Sequence, residues 1–502
     1  MIFEQFYLEC LSHASYLVGD KTTGRAVVVD PQRDIDQYLD RARELNLTIT
    51  HVLETHFHAD FLSGHLELAK ATGATICFGA EARPQFAAHL LADGERIVLG
   101  DVVIETRLTP GHTPESASYV VYEHDGDAVP YGVLTGDTLF IGDVGRPDLL
   151  VSVGKTADEL GHLLFASIQN KLLTLPDPTR VFPAHGAGSA CGKNLSTETS
   201  STMGEQRRNN YALQFTNADL FVAAVTEGQP EAPGYFIYDA VLNQKNRETL
   251  DEHVSPTVFT ITQLLDARDQ GLQIIDTRES QFFAAGHLHG SVNVGLAGRY
   301  AEYAGSVIRP DEDIVIITDA GMELEAKVRL ARIGYDRVVG SFIADNLADV
   351  PSEVGRASRL TAQEFAARRL DIGNLQIVDV RGDGEYAINH LPDASNIPVS
   401  QLRKRLAELD HLFPQLCTAL VVTGRLLRQA CYAPMAFAMS VMFWVALKQF
   451  CRCRTSDDAT ASALVVSLRT QQRLRALRRS YPFRFPNAKW SLASLCLRAP
   501  LR

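Results

Sequence analysis

The sequence predicts an α/β protein, and three observations carry that expectation. Short apolar runs of strand length alternate with helix-like segments. Several of these runs end in loops that hold His or Asp beside Gly or Pro. A strand–helix–strand pattern in the second half recurs at a fixed offset, which marks duplicated domains. With 502 residues, 46% hydrophobic and 22% charged, the chain has room for about three cores.

The first informative loop follows the apolar run 49–53, which reads as a buried strand, and precedes a helix-like segment over 65–71. It reads Thr55-His56-Phe57-His58-Ala59-Asp60-Phe61. Imidazole nitrogen and carboxylate oxygen both suit borderline divalent ions, so this loop is a candidate metal-ligand cluster. Further ligands must converge from elsewhere. His112 lies in Thr109-Pro110-Gly111-His112-Thr113-Pro114-Glu115-Ser116, after the strand-like run 102–108. Asp137 lies in Leu134-Thr135-Gly136-Asp137-Thr138-Leu139-Phe140, and His185 in Val181-Phe182-Pro183-Ala184-His185-Gly186. Each sits near Gly or Pro, where backbone can come close to a metal. His65 falls on the following helix, and a helix-start hydrogen bond is expected of it.

The spacing resembles the metallo-β-lactamase superfamily, whose dinuclear hydrolases carry His-x-His-x-Asp-His. Phe61 stands where the last histidine would be, and a phenyl ring has no lone pair to donate. A one-metal site is therefore the better reading. Within the superfamily the chain is similar to the persulfide dioxygenases (the ETHE-type sulfur dioxygenases) and their bacterial fusions to rhodanese modules. The matching pieces are Glu54-Thr55-His56-Phe57-His58-Ala59-Asp60, Gly111-His112-Thr113-Pro114-Glu115-Ser116, Gly142-Asp143-Val144-Gly145-Arg146-Pro147-Asp148 and Pro183-Ala184-His185-Gly186. The resemblance covers about residues 1–215 and implies an αββα sandwich, placed here at 1–245. It implies one Fe(II) per chain, with zinc as the alternative, held by His56, His112 and Asp137. Two histidines and one carboxylate leave positions open for O2 and substrate. It implies catalytic roles for His58, Asp60 and His185, which surround the metal and orient ligands or water without completing a second site. Arg146 is expected either to pair with a substrate carboxylate or to tie its loop by a salt bridge. Cys191 is expected either to touch the sulfur substrate or to be a packed, inert thiol.

The repeat organises the second half. Ile274-Ile275-Asp276-Thr277-Arg278 recurs as Ile377-Val378-Asp379-Val380-Arg381, and His287 and Asn293 recur as His390 and Asn396, each 103 residues on. Each copy reads as a buried strand ending in Asp-x-Arg, a helix, then a return through His to a strand, and resembles the rhodanese fold. The expected domains are 256–350 and 358–423, the second incomplete. The Asp-Arg pairs are read as ion pairs that brace the fold. An active rhodanese holds a cysteine in the loop after a later strand. The first copy has the strand 314–317 followed by Thr318-Asp319-Ala320-Gly321-Met322-Glu323-Leu324-Glu325, and the second has 419–422 followed by Thr423-Gly424-Arg425. Neither loop contains cysteine, so neither copy is expected to be catalytic.

After residue 423 the chain changes character. From Gly424 onward there are 14 Lys and Arg against 2 Asp, a formal +12, which leaves −24 on residues 1–423 of a chain whose total is −12. The rhodanese pattern stops within a domain, and the basic tail 424–502 is read as a frame-shifted remnant. The rival is a membrane span over 430–447, an 18-residue stretch without charge, but Pro434 interrupts it. No membrane or nucleic-acid partner is expected, and a homo-oligomer is. The N-terminus Met1-Ile2-Phe3-Glu4-Gln5 has no signal-peptide pattern, and only Cys10, Cys77 and Cys191 occur before residue 400. That usage points to a reducing cytoplasm.

The function expected is iron-dependent oxidation of a low-molecular-weight thiol persulfide by O2 to sulfite and thiol. A metal-dependent thioester hydrolase of the glyoxalase II type is the first alternative. A sulfur-relay or binding protein built on the rhodanese modules is the second. Because both loops lack cysteine, transfer of sulfur from thiosulfate to cyanide by the full chain should stay near background. A robust rate in a standard thiocyanate assay would show that another thiol does this work.

Overall fold

In the computed structural model of the chain, residues 1–149, 155–193, 195–229, 232–357, 359–368 and 376–409 are described. The loop 423–425, the apolar run 430–447 and the basic tail lie outside them.

Two six-stranded sheets build the first part. One runs β1 (Ile2–Leu8), β2 (His13–Gly19), β3 (Arg25–Val29), β4 (Thr48–Leu53), β5 (Thr75–Gly79) and β6 (His89–Leu91), with α1 (Asp36–Glu44) and α2 (His65–Thr72) on its outer face. The other is ordered β12, β11, β10, β9, β8, β7. Its strands are β7 (Arg96–Val98), β8 (Val103–Leu108), β9 (Ala117–Tyr122), β10 (Gly132–Gly136), β11 (Arg180–Pro183) and β12 (Ser201–Thr202). Period-two alternation decides which side chain goes where. Ala14, Tyr16 and Val18 of β2 meet Ala117, Tyr119 and Val121 of β9 between the sheets. Leu17 faces Tyr38 and Leu68 of α1 and α2, and Val120 faces Leu164 of α3 (Ala157–Ser167) and Phe221. Both faces are thus covered, as the αββα expectation requires. Thr156 and Glu159 form a capping box that starts α3.

After β12 come α4 (Met203–Asn209), α5 (Ala218–Thr226) and α6 (Phe236–Gln244), the last a helix that leads to the next module. That module contains α7 (Ile261–Asp269), β13 (Gln273–Asp276), α8 (Ser280–Ala285), β14 (His287–Leu288), β15 (Ser291–Asn293), α9 (Tyr300–Val307), β16 (Ile314–Thr318), α10 (Glu323–Ala331), β17 (Val338–Ile343) and β18 (Val354–Gly355). Its main sheet, ordered β15, β13, β16, β17, is parallel throughout. Parallel strands are covered on both faces, which is why they read as unbroken apolar runs. Ile274, Val315 and Ile317 face Leu264 and Phe342, while Ile275, Ile314 and Ile316 face Tyr300 and Leu330. The loop expected over 318–325 is shorter, because α10 begins at Glu323, and two of its three acidic residues sit in that helix's first turn.

The second copy shows α11 (Ala362–Arg368), β19 (Ile377–Asp379), α12 (Asp383–Ile388), β20 (Ala394–Asn396) and α13 (Val399–Leu402). Its landmarks repeat the first bond for bond. Arg278 pairs with Asp276 at 2.6 Å and donates to Gly286 O, and Arg381 pairs with Asp379 at 2.6 Å and donates to Asn389 O. Asn293 donates to the carbonyls of Asp276 and Arg278, and Asn396 does so to those of Asp379 and Arg381. His287 and His390 each stack at 3.9 Å on the aromatic ring four residues earlier. These bonds satisfy backbone where the strand turns into loop, so the polar landmarks are fold-bracing in both copies.

The boundary expected between 245 and 256 does not separate two independent cores. Leu11, Ala59, Phe61, Phe140 and Cys191 share one apolar cluster with Tyr235 and Phe236 of α6 and with Tyr300, Ala304 and Leu330 of the next module. An ion network locks the same junction. Arg33, 1% exposed, donates to Glu67 at 3.1 Å, to Ala331 O at 2.8 Å and through both terminal nitrogens to Asp336. Arg332 forks onto Asp34 at 2.9 and 2.6 Å. Burial pushes the Glu67 carboxyl up, but Arg247 and Arg33 outweigh it and hold it at about 2.

Arg33→Met should lower stability by roughly 3 kcal/mol, since removing one member of a buried pair strands its partners. Glu67 carries a depressed pKa, so its contribution is complete above the ordinary carboxylate range and is lost as pH falls toward 2. Urea titrations at pH 7 and pH 3 should therefore show a smaller gap between parent and variant in acid. An equal gap at both pH values would mean that charge does not hold this junction.

Candidate metal centre

The strand ends bring the expected residues together. His56 and His58 follow β4, His112 lies between β8 and β9, Asp137 follows β10 and His185 follows β11. An antiparallel bridge between His13 and His185 joins the two sheets at this end. Close approach is possible because Gly136 and Gly145 flank Asp137. A Cβ on Gly136, whose φ is +53°, would lie 2.6 Å from the Thr55 side chain. One on Gly145 would lie 1.9 Å from Asp137 O.

Ligand atoms of His56, His112 and Asp137 lie within 4.8 Å of one another, all buried. Nε2 of His56 and Nε2 of His112 stand 3.9 and 3.4 Å from Asp137 Oδ2. The far side of each ring is anchored. His112 Nδ1 donates to Arg146 O at 2.9 Å, and His56 Nδ1 donates to Thr55 Oγ1 at 2.9 Å. Thr55 Oγ1 in turn donates to Asp30 Oδ2 at 2.9 Å, and the Thr55 N–H donates to Asp30 Oδ1 at 2.7 Å. Both Nε2 atoms are thereby left as lone-pair donors turned toward Asp137. Burial, with His58 and His112 nearby, pushes His56 well below the usual imidazole range, and burial also lowers His112. His56 Nε2 and Asp137 Oδ2 are buried without a hydrogen-bond partner. Two neutral imidazoles and a carboxylate oxygen, oriented and unpaired, suit a divalent cation.

The groups around this triad are turned elsewhere. His58 Nε2 sits 3.1 Å from Asp30 Oδ1 and 3.4 Å from Glu54 Oε2. Burial disfavours its charge, yet Asp30 and Glu54 outweigh burial and raise its pKa to about 10. His185 bridges Asp137 Oδ1 at 2.7 Å and Asp60 Oδ2 at 2.8 Å. These two carboxylates raise His185 against burial, and His185 holds both of them below the usual carboxylate range. Cys191 lies within 4.8 Å of the Asp60 and His185 ligand atoms, and burial with those carboxylates pushes its thiol up, so it stays protonated. Arg146 forks onto Asp148 at 2.8 and 2.6 Å, which is the loop-tying arrangement. Phe61 places its ring 3.9 Å from His13 and 4.3 Å from His58, filling the side where a second metal's nitrogen would come from.

The expectation for His65 is corrected. Neither ring nitrogen makes a hydrogen bond, and the ring points inward, stacked at 4.9 Å on Phe86, because burying the imidazole against an aromatic wall wins over capping. Sequence reasoning gave no role to Asp30, Glu54, Thr55, His13 or Asn243. Asp30 was within reach, since it follows the apolar run 26–29 and precedes Pro31 as the ligand loops do.

Residues 8–185 match the family model described as Metallo-beta-lactamase superfamily, and residues 260–341 and 361–431 match Rhodanese-like domain. The persulfide dioxygenase ETHE1, mitochondrial, of Homo sapiens is 32% identical over 34% of this chain and 63% of its own length, so the chain spans under two thirds of that relative. A probable metallo-hydrolase of Burkholderia pseudomallei is 30% identical over 45% of this chain and 85% of its own. The crystal structure of a metallo-beta-lactamase from Staphylococcus aureus is 32% identical with a TM-score of 0.61, and covers 68% of this chain and 99% of that one.

Thr55→Val removes the hydroxyl between Asp30 and His56 while keeping its volume. Loss of such an outer partner weakens metal binding or activity by about 10–100-fold. Competition with a chromophoric chelator checks this, and unchanged affinity would show that the Asp30–Thr55–His56 relay does not orient the ligand.

Proposed function

The chain belongs to the metallo-beta-lactamase superfamily, carrying rhodanese-like domains behind that fold, and we propose that it is an iron-dependent persulfide dioxygenase. Its substrate is a low-molecular-weight thiol persulfide, such as glutathione persulfide, which reacts with O2 and water to give thiol and sulfite. One observation carries the reading: two histidines and one carboxylate converge, with His56 Nε2 and Asp137 Oδ2 buried and unpaired, while Phe61 closes the neighbouring position. The likeness to a persulfide dioxygenase supports it.

His56, His112 and Asp137 would hold the metal, which as Fe(II) would supply the redox chemistry that sulfur oxidation by O2 needs. Asp137 gives Oδ2 to that site because His185 occupies Oδ1. His185 keeps a proton between Asp137 and Asp60, and His58 keeps its charge between Asp30 and Glu54, so neither competes for the metal. The protonated Cys191 thiol lies beside Asp60 and His185, packed at 1% exposure within the apolar cluster of the junction. Nearly all of these side chains are under 5% exposed, so their charges act on one another in a low-dielectric site.

The metallo-hydrolase name of one relative favours a second reading, a thioester hydrolase in which Asp60, His185 and Cys191 help to hold another cation. The two readings separate in one set of measurements. The dioxygenase gives about one iron per chain, lost in His56→Ala, His112→Ala and Asp137→Ala, with persulfide turnover only in air, O2 uptake and sulfite release. Two tightly held zinc ions, with thioester cleavage and no O2 uptake, would overturn it. Phe61→His should raise affinity for a second ion, since Asp60 and His185 are already placed.

A further inference from the structure

The loop that carries His58, Asp60 and Phe61 has no regular structure, so its backbone must find partners outside itself. Those partners come from the far side of the sequence. Asn243, 1% exposed on α6, donates through Nδ2 to His58 O at 2.8 Å and to Phe61 O at 2.9 Å, and its Oδ1 accepts the Ser63 N–H at 2.9 Å. Tyr235, just before α6, donates its hydroxyl to Asp60 O at 3.4 Å. Arg332 of the first rhodanese-like module accepts the Leu62 N–H at its carbonyl, 2.7 Å away.

The helix is itself seated on that module. Tyr235 lies so close to α9 that a Cβ on Gly305 would come within 2.3 Å of its ring, and Phe236 and Ala240 share the junction's apolar cluster. From the loop, contacts run on to the metal triad: Asp60 to His185 at 2.8 Å, and His185 to Asp137 at 2.7 Å.

We infer that Asn243 is a positioning residue of the metal centre, and that the first rhodanese-like module, which lacks a loop cysteine, serves to hold α6 and the metal loop in place. This rests on the reading of His56, His112 and Asp137 as ligands. It gives the module a role that needs no sulfur transfer. An asparagine suits the task because its short side chain holds two donors and an acceptor in one plane, which is what two carbonyls and one N–H on a tight loop require.

The test uses the full chain loaded with Co(II), whose visible spectrum reports ligand geometry whatever reaction the protein performs. Asn243→Asp keeps the acceptor for Ser63 N–H but sets an oxygen against two carbonyls. It should shift the Co(II) bands and speed cobalt release by about 10–100-fold. With iron and persulfide it should lower kcat by a similar factor at nearly constant KM. Tyr235→Phe loses one hydroxyl and keeps its ring, so it should move the spectrum the same way by less. If Asn243→Asp does not fold, Tyr235→Phe decides alone. A spectrum and release rate identical to the parent in every variant that folds would overturn the inference. A shifted spectrum in a chain whose iron form does not oxidise persulfide would overturn the dioxygenase reading and leave this one standing.

Discussion

Everything at the metal end of this chain depends on keeping four carboxylates and several imidazoles buried together in defined protonation states. An unpaired buried charge is expensive, so each must be matched by a specific neighbour. The chain meets this with two charged sandwiches, Asp30–His58–Glu54 and Asp60–His185–Asp137, standing beside a neutral pair, His56 and His112. Burial pushes Glu54 up to about 7, but Asp30, Asp60 and Asp137 still outnumber the two cationic rings, and two of the unpaired buried atoms, His56 Nε2 and Asp137 Oδ2, point at one place. A divalent cation suits that arrangement. The strands serve to deliver these groups, and the positive φ of Asp30, at 49°, is a local strain accepted so that its carboxylate can turn back onto Thr55.

The rhodanese-like modules follow a different logic. Their Asp-x-Arg, His and Asn landmarks bind backbone and one another in the same way in both copies. In the first copy none of these bonds involves the loop 318–325, where a sulfur-carrying cysteine would stand. The bracing of that module therefore does not depend on the loop, and the module keeps a large apolar face that covers Phe61 and Cys191.

What the sequence revealed depends on the range of the interaction. The candidate ligand loops were legible because His56, His112, Asp137 and His185 each sit one to four residues beyond an apolar run, and strand period and loop chemistry are local. The duplicated modules were legible because the landmarks keep one spacing. The supporting groups were not. Asp30 acts on Thr55 from another strand, Asn243 reaches back across more than 180 residues, and Arg33 and Asp336 are separated by 303. No periodicity encodes such pairs. The inward turn of His65 was missed for a related reason, since the aromatic wall of Phe78 and Phe86 forms only when β5 and the segment after it fold back on α2.

Phe61 ties these threads together. Read locally, it is a missing ligand. In the folded chain its ring is 2% exposed, packed on His13 and His58, and part of the cluster shared with α6 and the first rhodanese-like module. A histidine there without a metal would leave a buried imidazole short of partners, at a cost of about 1–3 kcal/mol. A phenyl ring avoids that cost and adds apolar area to the junction. The same substitution thus removes a nitrogen ligand and strengthens the seat of the module that holds the metal loop. The proposed single-metal chemistry and the docked rhodanese-like module both draw on one side chain.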